Sequence, residues 1–392
     1  MKIGIVTHWN SLDNYGQQLQ CFALQTVLRS WGHDAFLIRY APKAKQLTVW
    51  QRIIAHIKHP KYFLHHLPVD SMRKRSVLYE KELVKVNLLN NPKRKFEEFR
   101  REHLKMTDLI YSSYAALYAN PPKADLYIVG SDQVWRMPHY NDSIPGWFLK
   151  FGDVRVRRIS YAASMGEGVK REMWPVLRNY LSCFDAISVR EESAARLCHE
   201  LGFKAEVTLD PTMLLTADFY LKMATRENNG KQYAFLYLLN VKSVEEFHWQ
   251  RIKKYIDSRG LQLKSVTGSG YYQGRELIEG NRNLWATIPE WIGLIGGAKC
   301  VFTTSYHGTI FAILTHRPFL VIGLQGKYRN ANCRIEQLLA ALGIAERQFN
   351  PSVSVAQQMD STIDWEQVDL RIEELRRQSV KFLKANIISN KA

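Results

Sequence analysis

Short runs of consecutive apolar residues, each ending in small or polar residues and followed by a helical pattern, leave this chain few folds to adopt. Ile3-Gly4-Ile5-Val6, Leu126-Tyr127-Ile128-Val129, Tyr233 to Leu238 and Phe319 to Gly323 are such runs. A strand that is apolar at every position is covered on both faces, which is the signature of a parallel sheet flanked by helices. The alternation runs once from Lys2 to about Thr212 and restarts at Tyr233. At 392 residues the chain also exceeds the size at which one core stops growing. The expected class is therefore α/β, with two Rossmann-like domains facing a cleft in a GT-B-like arrangement. The boundaries read as 1–210, 211–360 and a C-terminal helix, 361–392, that packs back. Residues 43–120 break the alternation and read as a helical insertion in the first domain.

In an open parallel sheet, ligands gather where strands end and helices begin. Asn14, Tyr15 and Gly16 lie at such a point, after the opening strand and at the start of a helix. Gly130 follows the strand Asp125–Val129, and Ser131, Asp132 and Gln133 then bring polar groups to the same edge. Trp135 offers an apolar face suited to a sugar ring, and Asp132 also suits a helix N-cap. Arg190 stands at the end of Ala186–Val189, where a guanidinium can clamp a carboxylate or phosphate with two parallel bonds. In the second half, Tyr306-His307-Gly308 sits between the strand ending at Phe302 and a short apolar helix, Thr309–Leu314. Its free N–H groups favour an anion. Pro318 stops that helix region, and Lys327 leaves the next strand at the same edge. No G-x-G-x-x-G dinucleotide fingerprint is present.

The net charge of +17 calls for an anionic partner or surface. Nucleic acid is not expected, because the chain lacks zinc-finger spacing, an RNP aromatic pattern and a basic-leucine arrangement. Much of the excess is local: residues 41–105 hold 16 Lys or Arg against 6 Asp or Glu. Arg73-Lys74-Arg75 and Lys93-Arg94-Lys95 alternate with Trp50, Tyr62, Phe63, Tyr79, Phe96 and Phe99, a mixture that suits the headgroup layer of an anionic membrane. The five cysteines are scattered, with no CxxC pair. They read as buried thiols in a reducing compartment, not as disulfides or zinc ligands. The first residues lack the apolar core of a signal peptide. A cytoplasmic protein is expected, docked peripherally at the inner face of the membrane where the basic segment reaches it. No metal site is expected.

Five stretches in order carry a resemblance to the polysaccharide pyruvyl transferase family. They are Asn14-Tyr15-Gly16 after the opening strand, Ile128 to Trp135, Ser188 to Ser193, Asp210-Pro211-Thr212, and Ser305-Tyr306-His307-Gly308-Thr309. The likeness runs roughly from Ile3 to Lys327. It implies a GT-B-like fold and an enzyme that uses phosphoenolpyruvate to place a pyruvate ketal on a hexose of a bacterial exopolysaccharide, capsule or cell-wall glycan precursor. No cofactor is implied, since phosphoenolpyruvate is itself the donor. The family's donor-binding arginine, histidine and lysine resemble Arg190, His307 and Lys327. His307 is the expected general acid, and Asp132, ahead of Asp13, the expected acceptor of the hydroxyl proton. Asn14, Tyr15, Gly16, Ser131, Asp132, Gln133 and Trp135 are the expected acceptor side. The acceptor itself is a sugar, with a lipid-linked oligosaccharide among the forms it takes. Many relatives carry Arg-Leu/Phe-His or Ser-Phe-His where this chain has Ser-Tyr-His, so Tyr306 alters the wall of the pocket. The competing reading is a GT-B nucleotide-sugar glycosyltransferase.

Overall fold

A computed structural model describes residues 1–42, 88–137, 141–166, 168–225, 230–241, 244–268 and 283–388. Its first half is built on strands β1 (Lys2–Val6), β2 (Asp34–Tyr40), β3 (Met106–Tyr111), β4 (Leu126–Val129) and β5 (Arg157–Ser160). They form a parallel sheet in the order β3-β2-β1-β4-β5. Strands β6 (Ile187–Val189) and β7 (Ala205–Val207) form a two-stranded parallel sheet. Single bridges from Ile159 to Ala186 and from Ala163 to Val189 attach it beyond β5. The second half repeats the plan with β8 (Tyr233–Leu238), β9 (Gln262–Thr267), β10 (Asn283–Leu284), β11 (Cys300–Thr303) and β12 (Phe319–Val321). Its order is β10-β9-β8-β11-β12, again parallel throughout. In both sheets the order reverses beside the first strand, which opens a crevice at the strands' carboxyl ends. The fold is α/β with two Rossmann-like halves, as the apolar runs imply: β4 and β8 are buried at every position.

The halves meet along the first helix, Tyr15–Ser30, which Asn14 caps by accepting from the Gln17 N–H at 3.2 Å. Tyr15 stacks on Trp291 of the second half with ring centroids 5.2 Å apart, and its hydroxyl donates to the Ala286 carbonyl at 2.6 Å. The last helix, Trp365–Ile388, spans both halves. Its Ser379 hydroxyl accepts from the Leu209 N–H and Arg376 donates to the Met213 carbonyl, while Arg371 donates to the carbonyl of Leu342. Among the described residues no helix is long and apolar enough to cross a membrane.

One expectation needs correction. Residues 43–87 lie outside the described residues, Arg73-Lys74-Arg75 among them. The remainder of the expected insertion is not a helical appendage. Helix Phe96–His103 buries Phe96 and Phe99 in the main core, and Arg100 donates to the Ser11 carbonyl and to Gln18 Oε1. Met106–Tyr111 is an edge strand of the first sheet. Only Tyr111 of β3 is buried, so the strand carries no alternating apolar pattern by which it is recognised.

Candidate functional site

Four strand ends deliver the charged side chains. Arg190 is the residue after β6, Asp210 follows β7, Ser131 and Asp132 follow β4, and His307 follows β11. His307 is the second residue of helix Tyr306–Leu314, whose cap Ser305 accepts from the Gly308 N–H at 3.2 Å. The chain must carry Gly16 opposite it. A Cβ on Gly16 would overlap the imidazole at Nδ1 and Cγ and lie 2.8 Å from the His307 Cβ. The absent side chain is what lets a helix of the first half press against the histidine of the second.

Asp210 is fully buried and is the hub of the cluster. Its Oδ1 accepts from the Thr212 N–H at 3.0 Å and hydroxyl at 2.7 Å. Its Oδ2 accepts from the Ser131 hydroxyl at 2.8 Å and from Arg190 Nη1 at 3.1 Å. His307 Nε2 stands 3.5 Å from the same oxygen, within charge range but without a formed hydrogen bond among the described residues. Burial alone would push the Asp210 carboxyl up. His307, Arg190 and the Thr212 hydrogen bond outweigh it and hold the group far below the usual carboxylate range. Arg190 also donates from Nε to Glu191 Oε1 at 3.4 Å, and its guanidinium lies over the Tyr306 ring at 4.5 Å. Burial works against its charge, but Glu191, Tyr306, Asp210 and Asp132 together fix it as a cation.

Asp132 is buried and has φ +78°, a left-handed conformation that a non-glycine residue adopts at a cost. It caps no helix: its carbonyl accepts from the Val134 and Ser164 N–H groups in a tight turn. Burial raises its pKa, but His8, Arg190, His307 and Arg334 prevail and keep it below the ordinary value. The carboxylate is therefore ionised at neutral pH.

The structure brings together Ser131, Asp132, Arg190 and His307. It separates other expected site residues from them. Trp135 is fully buried, stacked on Phe148 with centroids 5.1 Å apart, and its indole N–H donates to the Trp147 carbonyl at 3.2 Å. It offers no face to a sugar. Tyr15 is likewise a core residue: its hydroxyl accepts from Arg94 at 2.5 Å, and burial pushes it up to about 12. Asn14 is engaged as the helix cap. Lys327 lies in the turn Gly326–Asn332 after β12, with its side chain outside what is described. Gln133 faces Arg334: with its carboxamide oxygen turned toward the guanidinium, it accepts from Nη1 at 3.0 Å and Nη2 at 2.9 Å.

Arg334, Glu191 and Asp210 complete the cluster and are not among the expected site residues, and Tyr306, expected in the pocket wall, lies beside both arginines. Arg334 opens an ordinary amphipathic helix pattern, Cys333–Leu342, and nothing in that local sequence distinguishes it from a solvated cation. Asp210 precedes a proline and reads as a strand stop. Among the described residues no group of three His, Cys, Asp or Glu is arranged to hold a metal ion.

A family model described as Polysaccharide pyruvyl transferase matches residues 14–326. No curated protein sequence matches the chain. Among solved structures, an S. aureus MnaA–UDP co-structure is similar, with TM-score 0.49 and 13% identity, covering 100% of this chain and 99% of that one. A UDP-GlcNAc 2-epimerase from Neisseria meningitidis bound to UDP-GlcNAc has TM-score 0.43 and 11% identity, covering 97% and 100%.

Proposed function

The chain belongs to the polysaccharide pyruvyl transferase family, and from that premise we propose that it transfers the pyruvyl group of phosphoenolpyruvate to two hydroxyls of a hexose in a glycan precursor. The observation that carries the reading is the set of buried nitrogens left without partners among the described residues at one sheet edge: Arg190 Nη2, His307 Nε2 and Arg334 Nε. Buried donors are costly when unsatisfied, and a small ligand with two anionic groups would satisfy them.

In this mechanism Arg190 and Lys327 hold the carboxylate and phosphate by charge-assisted hydrogen bonds. His307 donates a proton to C3, which leaves C2 oxocarbenium-like. A sugar hydroxyl adds to C2 and gives up its proton, with ionised Asp132 as the acceptor. The C2–O bond to phosphate then breaks, and phosphate carries the electron pair away. The neighbouring hydroxyl adds to C2, loses its proton and closes the ketal. Asp210 touches neither reactant; it positions Arg190 and His307 through a single carboxylate oxygen. The basic segment brings the enzyme to an anionic membrane surface, where a lipid-linked acceptor is presented, and its place of action is the cytoplasmic face.

The test is a ligand panel followed by product analysis. Phosphoenolpyruvate alone stabilises the protein against heat by mass action. With a panel of lipid-linked and free sugars, mass spectrometry finds a product carrying one ketal-linked pyruvate. Stabilisation by UDP-sugars with none by phosphoenolpyruvate would replace this reading with glycosyl transfer.

A further inference from the structure

Arg190 and Arg334 share the ring of Tyr306, with their guanidinium carbons 4.5 and 5.9 Å from its centroid. Their surroundings differ in charge balance. Arg190 is already neutralised by Asp210 and Glu191. Arg334 has no carboxylate at ion-pairing distance among the described residues. Its Nη atoms rest on a neutral acceptor, the Gln133 carboxamide, and its buried Nε has no partner there. Burial and the like charge of Arg190 both work against the Arg334 cation, only partly offset by Glu191 and Asp132. A half-buried cation beside another cation, held by an uncharged amide, has no paired counterion among the described residues.

We propose that Arg334 is the binding residue for a phosphoryl oxyanion, with Gln133 occupying its Nη atoms until the ligand arrives and Tyr306 keeping it apart from Arg190. The ligand oxygens take the guanidinium edge in two parallel bonds, the geometry that a phosphate group fits. Tyr306 then has a physical use, because a ring within reach of two cations favours both through its π face. The proposal rests on the pyruvyl-transfer reading only for the source of the phosphoryl group; the same subsite would take the diphosphate of a nucleotide.

The experiment is calorimetric titration of the full chain with inorganic phosphate, phosphoenolpyruvate and UDP, on the parent, Arg334→Gln and Arg334→Lys. The glutamine variant is expected to weaken binding of whichever of these the parent binds by about tenfold or more, as loss of a charge-assisted hydrogen bond implies. The lysine variant keeps the charge without the fork, so it is expected to fall between the two, and it carries the test if Arg334→Gln does not fold. Binding in both variants at the parent's affinity overturns the proposal. So does a parent that binds none of the three compounds. If the parent binds UDP and not phosphoenolpyruvate, and Arg334→Gln loses it, the subsite stands and pyruvyl transfer falls. If phosphoenolpyruvate is turned over and its affinity ignores Arg334, pyruvyl transfer stands and the subsite falls.

Discussion

Gly16 and His307 are in direct contact across the two halves of the molecule, and the contact leaves no room for a methyl group on Gly16. Since Cγ and Cβ of the histidine are involved as well as Nδ1, turning the ring does not clear the space.

This contact makes the first prediction a pair. His307→Ala is expected to lower pyruvyl transfer by ~10²–10⁴-fold, the usual contribution of a general acid, with the fold intact. Gly16→Ala is expected to destabilise the protein by about 1–3 kcal/mol through overpacking. In the double variant the overlap with Nδ1 and Cγ is gone while the 2.8 Å approach to the Cβ of residue 307 stays, so the Gly16→Ala penalty should shrink without vanishing. Urea denaturation of all four chains measures the coupling. Additive penalties would mean that Gly16 does not set the position of the imidazole, and a transfer loss under about tenfold would remove His307 from the chemistry.

Asp210 governs acid stability. Its folded carboxyl lies far below the usual range because His307, Arg190 and Thr212 outweigh burial. A depressed folded value adds stability that is fully present well above the unfolded value of about 4 and is lost as pH falls below it. Asp210→Asn should therefore cost about 3–5 kcal/mol at pH 7, where it leaves Arg190 short of a partner. The gap between variant and parent should narrow below about pH 4. Denaturation curves from pH 7 to pH 3 read this directly; a gap that stays constant over that range means the carboxylate charge contributes nothing.

Arg190 is held through Nη1 and Nε, which leaves Nη2 for the ligand. Lysine cannot reproduce that division of labour, because its ammonium is a single point charge. Arg190→Lys is accordingly expected to recover only part of the activity lost in Arg190→Ala, with a raised KM for phosphoenolpyruvate. A KM equal to the parent's would show that the planar fork is not used.

The basic segment makes a separate claim. Each cation near an anionic leaflet contributes about 1 kcal/mol, screened by salt. Neutralising Arg73, Lys74 and Arg75 together should cost roughly 3 kcal/mol of membrane binding if all three reach lipid. In liposome flotation the parent should rise with anionic vesicles, not with neutral ones, and come off as salt increases. A triple variant that floats as well as the parent relieves these residues of the role.

The parts of the structure legible in the sequence are those with a periodic or positional signal. The buried runs at β1, β4, β8 and β12 gave away a parallel sheet, and the strand-end rule led to Arg190, Asp132 and His307. The errors have a common physical cause. Trp135 and Tyr15 follow strand ends as well, but an aromatic ring there can turn inward, and both found partners in the core: Phe148 for one, Trp291 for the other. Sequence position places a backbone at the edge; it does not choose a rotamer. Arg334 was missed for the converse reason. What makes it unusual is that no carboxylate among the described residues ion-pairs with it while Arg190 lies near and Gln133 holds it, and these partners are far away in the chain.

The cluster draws on both halves: Arg190 and Asp210 stand beyond β6 and β7, and His307 and Arg334 lie on helices of the second half. Neither half possesses a complete centre. A chain severed so that the two halves separate would give two inert pieces. Their activity on mixing would rise with the product of their concentrations, as for a reconstituted enzyme, and the last helix would decide how tightly they found each other, because it carries contacts to both.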